Sequence, residues 1–154
     1  MDDQTDSEFA DADFRDEDFS GLRTERVVFD GCDFSGVDLS ESEHVGSAFR
    51  NCMFRRTSLW HSVFRHCSFL GSTFLECRIR PVTFVECDFT LAVLGGADLR
   101  TVELSDCRLR ETSLVGADLR RAVLARVDLT GARVQGTRLD LSLIHISEPT
   151  RRYA

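Results

Sequence analysis

The chain has 154 residues, 42% of them hydrophobic, and a formal net charge of −7, ordinary values for one globular domain. No apolar run approaches the ~18 residues that span a bilayer. The start, Met1-Asp2-Asp3-Gln4-Thr5-Asp6, lacks the apolar segment of a secretory signal, so the expected location is the cytoplasm.

An acidic N-terminal segment, 1–8, comes first. Residues 1–20 hold nine acids against one base, Arg15. Residues 21–140 balance 16 acids with 16 bases. That balance argues against nucleic acid as a direct ligand, because phosphate binding needs a net basic surface. The acidic excess favours a basic partner surface.

A repeat follows. Of the 27 positions taken every five residues from Phe9 to Leu139, 25 are large and apolar, and all twelve Phe lie on this phase. The residue two earlier is nearly always small, as at Ala12, Cys32, Ser47 and Ala97. A period of five fits neither a helix nor a simple strand alternation. Two inward residues spaced by two suit a short extended segment, whose alternate side chains share a face. The three outward residues then include a corner. Four such sides close a square coil of 20 residues, and stacked coils pair backbone to backbone about 4.8 Å apart. The predicted fold is all-β, a right-handed quadrilateral β-helix over 9–140. It amounts to a solenoid of a little under seven coils, about 32 Å long.

Two residues break the apolar series, Thr24 and His44, both on the fourth side. They predict a loose or irregular wall there, near an open N-terminal end, with His44 a tolerated core histidine. The six Cys all occupy the small inward phase, with spacings that are multiples of five and no CxxC pair. They read as reduced, structural thiols, since free Cys behaves as a small buried apolar residue and stacked parallel side chains suit a disulfide poorly. No metal site is expected.

Trp60 falls on an outward phase and is a possible contact anchor. His61 and His66 should face outward on adjacent sides, with no carboxylate placed by the pattern to orient either ring. Pro81 interrupts the donor pattern and marks a cis bond or a bulge. Gly95-Gly96 sits at a corner. Neither GxGxxG nor a Walker loop is present, and no catalytic or cofactor-binding constellation emerges. After Leu139 the period fades. Residues 141–151 read Leu-Ser-Leu-Ile-His-Ile-Ser-Glu-Pro-Thr-Arg, which matches the translation of a transposase-type sequencing adapter. Residues 141–154 are therefore expected to be an artefact tail, with the natural chain continuing past Asp140.

The outward residue just before each centre carries the acids. On one side it reads Asp18, Asp38, Ser58, Arg78, Asp98, Asp118, Arg138, and neighbouring phases add Asp33, Asp88, Glu103 and Asp128. Asp there also suits turn hydrogen bonding. Stacked like charges are disfavoured, so the column invites a second reading, a regular surface of carboxylates that replaces DNA phosphates for a protein partner.

Several segments carry a family likeness: Asp13-Phe-Arg-Asp-Glu-Asp18, Cys32-Asp-Phe-Ser-Gly-Val37, Gly46-Ser-Ala-Phe-Arg-Asn-Cys52, Leu59-Trp-His-Ser62, Asp88-Phe-Thr-Leu-Ala-Val-Leu-Gly-Gly96 and Cys107-Arg-Leu-Arg-Glu-Thr-Ser-Leu114. Over 11–140 the chain resembles the MfpA-like pentapeptide-repeat proteins, the mycobacterial fluoroquinolone-resistance family. The resemblance implies a non-enzymatic DNA mimic that binds and modulates DNA gyrase and protects it from fluoroquinolones. The expected partner-binding surface comprises Asp18, Asp38, Asp88, Asp98, Glu103, Asp118 and Asp128, with Trp60 as a further contact. No membrane and no cofactor are implied. A homodimer through C-terminal coils and a terminal helix is implied for the family, and here the adapter-like tail stands in that module's place. The alternative is a structural or adaptor protein with another partner, met around Trp60 and His61.

Overall fold

The computed structural model describes residues 1–139 and the strand Ile144–Ile146, and every regular element is a strand. The rest of the adapter-like tail lies outside the described residues. Strands are two to five residues long and pair in parallel with the residue 20 positions on, as in Phe9↔Phe29 and Phe84↔Leu104. The chain is thus a right-handed coil with four walls.

The first wall begins with strands Glu8–Ala10, Val28–Asp30 and Ala48–Arg50. It continues as single bridges through Ser68, Asp88 and Arg108 to Asp128. The second wall holds strands Met53–Arg55 and Thr73–Leu75 between similar bridges. On the third wall, Asp18, Asp38, Ser58 and Arg78 bridge in succession, and Asp98, Asp118 and Arg138 form a second stack. Backbone amides donate across coils throughout, for example Phe19 N–H to Asp38 O at 2.8 Å and Phe89 N–H to Arg108 O at 2.7 Å.

Corners follow one rule. From Asp6 to Gly136, every residue two beyond a centre has φ between +53° and +72°, with Pro81 excepted. Nine of these are Gly and seventeen are not, although left-handed backbone disfavours a Cβ. Cross-coil hydrogen bonds from the corner amide, such as Asp6 N–H to Glu25 O and Glu86 N–H to Ser105 O, hold most of the other seventeen there. Proline cannot follow the rule, because its ring fixes φ near −65°. The Arg80–Pro81 bond is cis, as one of the two sequence readings had it. His61 N–H donates to Pro81 O, whereas the equivalent Glu41 N–H donates to Trp60 O. The third wall is therefore offset by one residue at Pro81.

The core is a column of rings. Phe9, Phe29, Phe49, Phe69 and Phe89 stack in sequence at 4.9–5.3 Å with interplanar angles of 9–12°. Rings on adjacent walls meet edge to face, as in Phe29 and Phe34 at 5.3 Å and 74°. Both arrangements suit the ring quadrupole. Beyond Phe89 the columns change to Leu94, Leu109, Leu114 and Leu129.

Three expectations are corrected. The fourth wall is not loose: it is the longest sheet, eight strands in order from Gln4–Thr5 to Ile144–Ile146. Thr24 and His44 lie inside it, with His44 0% exposed. They fit because they satisfy one another. Ser42 Oγ–H donates to Leu39 O (2.6 Å), so Ser42 Oγ accepts from His44 Nε2–H (2.9 Å). That leaves Nδ1 to accept from Thr24 Oγ1–H (2.6 Å), and Thr24 Oγ1 also contacts Ser47 Oγ (2.8 Å). The flat imidazole stacks on Phe64 at 4.7 Å and 14°, taking a phenylalanine's place. Burial without a charged partner pushes the His44 pKa down to about 3, so the ring is neutral.

Second, the sheet starts before Phe9, because Gln4 and Thr5 already pair with Thr24 and Glu25. Gln4 has the centre phase but is polar, so an apolar series does not include it. Third, His66 does have a carboxylate: Glu86 Oε2, one coil on at the same corner, lies 3.2 Å from Nδ1. The six thiols are free, five buried and Cys77 partly so.

Candidate partner-binding surface

Each aspartate of the expected surface is first a turn builder. One carboxylate oxygen accepts the backbone N–H two residues on: Asp18 from Ser20 (3.0 Å), Asp38 from Ser40 (2.9 Å), Asp88 from Thr90 (2.9 Å), Asp98 from Arg100 (3.3 Å), Asp118 from Arg120 (3.1 Å) and Asp128 from Thr130 (3.0 Å). Such local bonds stabilise a turn over continued strand. They leave the second oxygen for other partners.

What else each carboxylate meets divides the set. Asp98 and Asp118 sit in an ionic ladder with three arginines. Arg80 Nε lies 3.0 Å from Asp98, Arg100 Nε 2.9 Å from Asp98 and 3.7 Å from Asp118, and an Arg120 guanidinium nitrogen 2.7 Å from Asp118. The Arg100 hydrogen bond holds the Asp98 carboxyl below its ordinary pKa, and the Arg120 bond holds Asp118 far lower. This resolves the like-charge stacking, because arginines interleave the acids. Among the described residues, Asp18, Asp38, Asp88 and Asp128 form no salt bridge. Asp18 is lowered by the Ser20 hydroxyl and amide. For Asp128 burial pulls upward, but the Thr130 hydroxyl and amide outweigh it.

The seven acids do not share one face. Asp18, Asp38, Asp98 and Asp118 lie on the third wall, Asp88 and Asp128 on the first with Arg108 between them, and Glu103 on the fourth. Glu103 and His61 together line a shallow cleft of about 160 Å³ with Pro81 and Thr101. Trp60, 40% exposed, stands on the third wall with its ring edge-on to His61 at 4.0 Å.

Counting the acids alone missed the arginines. They occupy the phase just after each third-wall centre, which reads Ser20, Ser40, Trp60, Arg80, Arg100, Arg120. Reading that phase beside the aspartate column would have found the ladder. Its effect is a polarised rod. Residues 1–60 carry fifteen acids and six arginines, whereas 61–139 carry nine acids and eleven arginines. Among the described residues no group of three or more His, Cys, Asp or Glu is arranged to hold a metal ion, and no helix is long and apolar enough to cross a membrane.

Five-residue sides, left-handed corners and an in-register 20-residue coil define the pentapeptide-repeat type of β-solenoid. The chain belongs to that family: a model of the pentapeptide repeat region matches residues 3–72 and 57–134. It is similar to pentapeptide repeat protein MfpA of Mycobacterium tuberculosis, 63% identical over 100 residues, which are 65% of this chain and 55% of that one. It is also similar to MfpA of Mycolicibacterium smegmatis, 78% identical over 57 residues, 37% of this chain and 30% of that one. The chain thus spans about half or less of the curated relatives it matches. Among solved structures, HetL, a pentapeptide repeat protein of the cyanobacterium Nostoc involved in heterocyst differentiation regulation, superposes with a TM-score of 0.54 at 13% identity. It covers 93% of this chain and 87% of that one, a likeness of fold.

Proposed function

We propose that this protein binds DNA gyrase in place of DNA, modulates it without catalysing a reaction, and protects it from fluoroquinolones in the cytoplasm. The observation that carries the reading is the 63% identity to an MfpA over 100 residues of the repeat, the family whose sequence likeness implies gyrase. The geometry supports it physically. Carboxylates fixed by their own turns keep a rigid spacing, so a basic surface that docks on them orders few side chains. Asp18 and Asp38 are the strongest candidates on the third wall, since Asp98 and Asp118 already neutralise arginines. Asp88 and Asp128 flank Arg108 and offer a weaker field, and Glu103 contributes at the margin. The exposed Trp60 beside His61 favours one alternative, an adaptor that meets a different protein partner there.

The test is a gyrase supercoiling titration with and without a fluoroquinolone. Inhibition that weakens as salt rises, with less drug-induced DNA cleavage, supports the reading. A folded protein with no effect on either readout sinks it. If Trp60→Ala alone abolished binding to a partner other than gyrase, the adaptor reading would replace it.

A further inference from the structure

Cys67, Cys87 and Cys107 occupy the small inward position of the first wall in three successive coils. Cys87 lies one coil from each of the other two, since its flanking residue Asp88 bridges to Ser68 on one side and to Arg108 on the other. Each sulfur also approaches a backbone carbonyl of the coil before: His44 O at 3.5 Å, Phe64 O at 3.3 Å and Phe84 O at 3.4 Å. Cys67 and Cys87 are as buried as the other stacked pair, Cys32 and Cys52, and are set apart by their surroundings. They line an open groove of about 640 Å³, together with His66, Glu86, Asp106 and Arg108.

The spacing selects the chemistry. Side chains that leave parallel strands in register are about 4.8 Å apart, too far for a disulfide, whose Cβ atoms approach to about 3.8 Å. A tetrahedral zinc site needs four ligands. A two-coordinate cation needs two. With soft metal–sulfur bonds of about 2.3 Å, a linear S–metal–S unit spans about 4.6 Å, close to the coil rise of about 4.8 Å.

We propose that Cys67 and Cys87 bind one soft monovalent cation of the Cu(I) or Ag(I) class, linearly, between two coils. Thiolate sulfur prefers such metals. Two thiols and one cation give an S–metal–S unit of charge −1 and release two protons into the groove, with no change of oxidation state. Arg108 in the groove lining supplies a counter-charge. The bound ion clips adjacent coils together.

Silver ion in chloride-free buffer is the probe. The expected result is one equivalent bound, with thiolate-to-silver ultraviolet absorption and two protons released. At a hundred times Kd, Tm should rise by about 5 °C or more. Cys87→Ala should lose all of this while keeping its circular dichroism, since Ala92 and Ala117 fill the same small inward phase. Cys87→Ser, which matches Ser47 and Ser72 of that phase, is the second variant should the first fail to fold. The Cys32→Ala, Cys52→Ala double variant should behave as the parent. Absence of a stoichiometric event, its survival in a folded Cys87 variant, or its loss in the Cys32, Cys52 variant would each overturn the proposal.

Discussion

The two ends of the rod share a backbone and differ in surface charge and in the residues that fill the core. Residues 1–60 carry a large acidic excess and 61–139 an arginine-balanced charge, while inside the stacked phenylalanines give way to leucine beyond Phe89. On the third wall the change in charge falls at Arg78 and Arg80, beside Pro81, where the pairing is offset by one residue. The comparison teaches that a solenoid constrains its phases and leaves its residue types free. Any large apolar centre and any satisfied corner suffices, because each coil buries its interior only against neighbours. Surface charge can then vary along the axis at little structural cost.

The largest effect separates the two cores. Phe49, 0% exposed, stacks between Phe29 at 5.0 Å and Phe69 at 5.3 Å. Phe49→Ala should cost about 3–5 kcal/mol by cavity formation. Leu109→Ala, one coil beyond Phe89 on the same wall and without a ring of its own to stack, should cost less, near the lower end of about 2–5 kcal/mol. Denaturant melts of the two variants measure the difference. Equal costs would show that stacking adds nothing to burial.

The next effect depends on pH. The His44 pKa is depressed to about 3, from 6.5 in the unfolded chain. Between those values the unfolded state binds the extra proton, so stability falls as pH drops through that window and is unaffected above it. The slope approaches about 1.4 kcal/mol per pH unit. His44→Leu removes this component while restoring an apolar centre. Its melting temperature should fall less than the parent's between pH 6.5 and 4.5, and parallel curves would contradict the neutral-imidazole assignment.

The smallest effect concerns the arginine ladder. Arg100→Gln and Arg120→Gln act on partly exposed ion pairs at the surface, which contribute little to stability and less as salt rises. Their thermal melts should nearly overlay the parent's. Their binding to a basic partner should strengthen, because Asp98 and Asp118 are uncovered.

Much of this was legible in the sequence, because a five-residue period leaves few architectures and each phase has one environment. Thr24 and His44 misled because an apolar series scores residues singly, and their fitness lies in the pairwise bonds to Ser42 and Ser47. Gln4 escaped for the same reason. The aspartate column was legible, but its field was not, since the neutralising arginines stand on the following phase. Glu86 beside His66 needed the same cross-coil reading, 20 residues on. Pro81 was legible as an irregularity because its φ cannot enter the left-handed corner, while the offset of the pairing required coordinates.

The most direct measurement compares two paired variants in the gyrase supercoiling titration, Asp18→Asn with Asp38→Asn against Asp98→Asn with Asp118→Asn. Asparagine keeps the turn-forming oxygen and removes the charge. The account predicts a several-fold loss of inhibition for the first pair, a much smaller change for the second, and a weaker salt dependence only for the first. Equal losses from the two pairs, or none from either, would contradict the claim that the unpaired N-terminal carboxylates carry the contact.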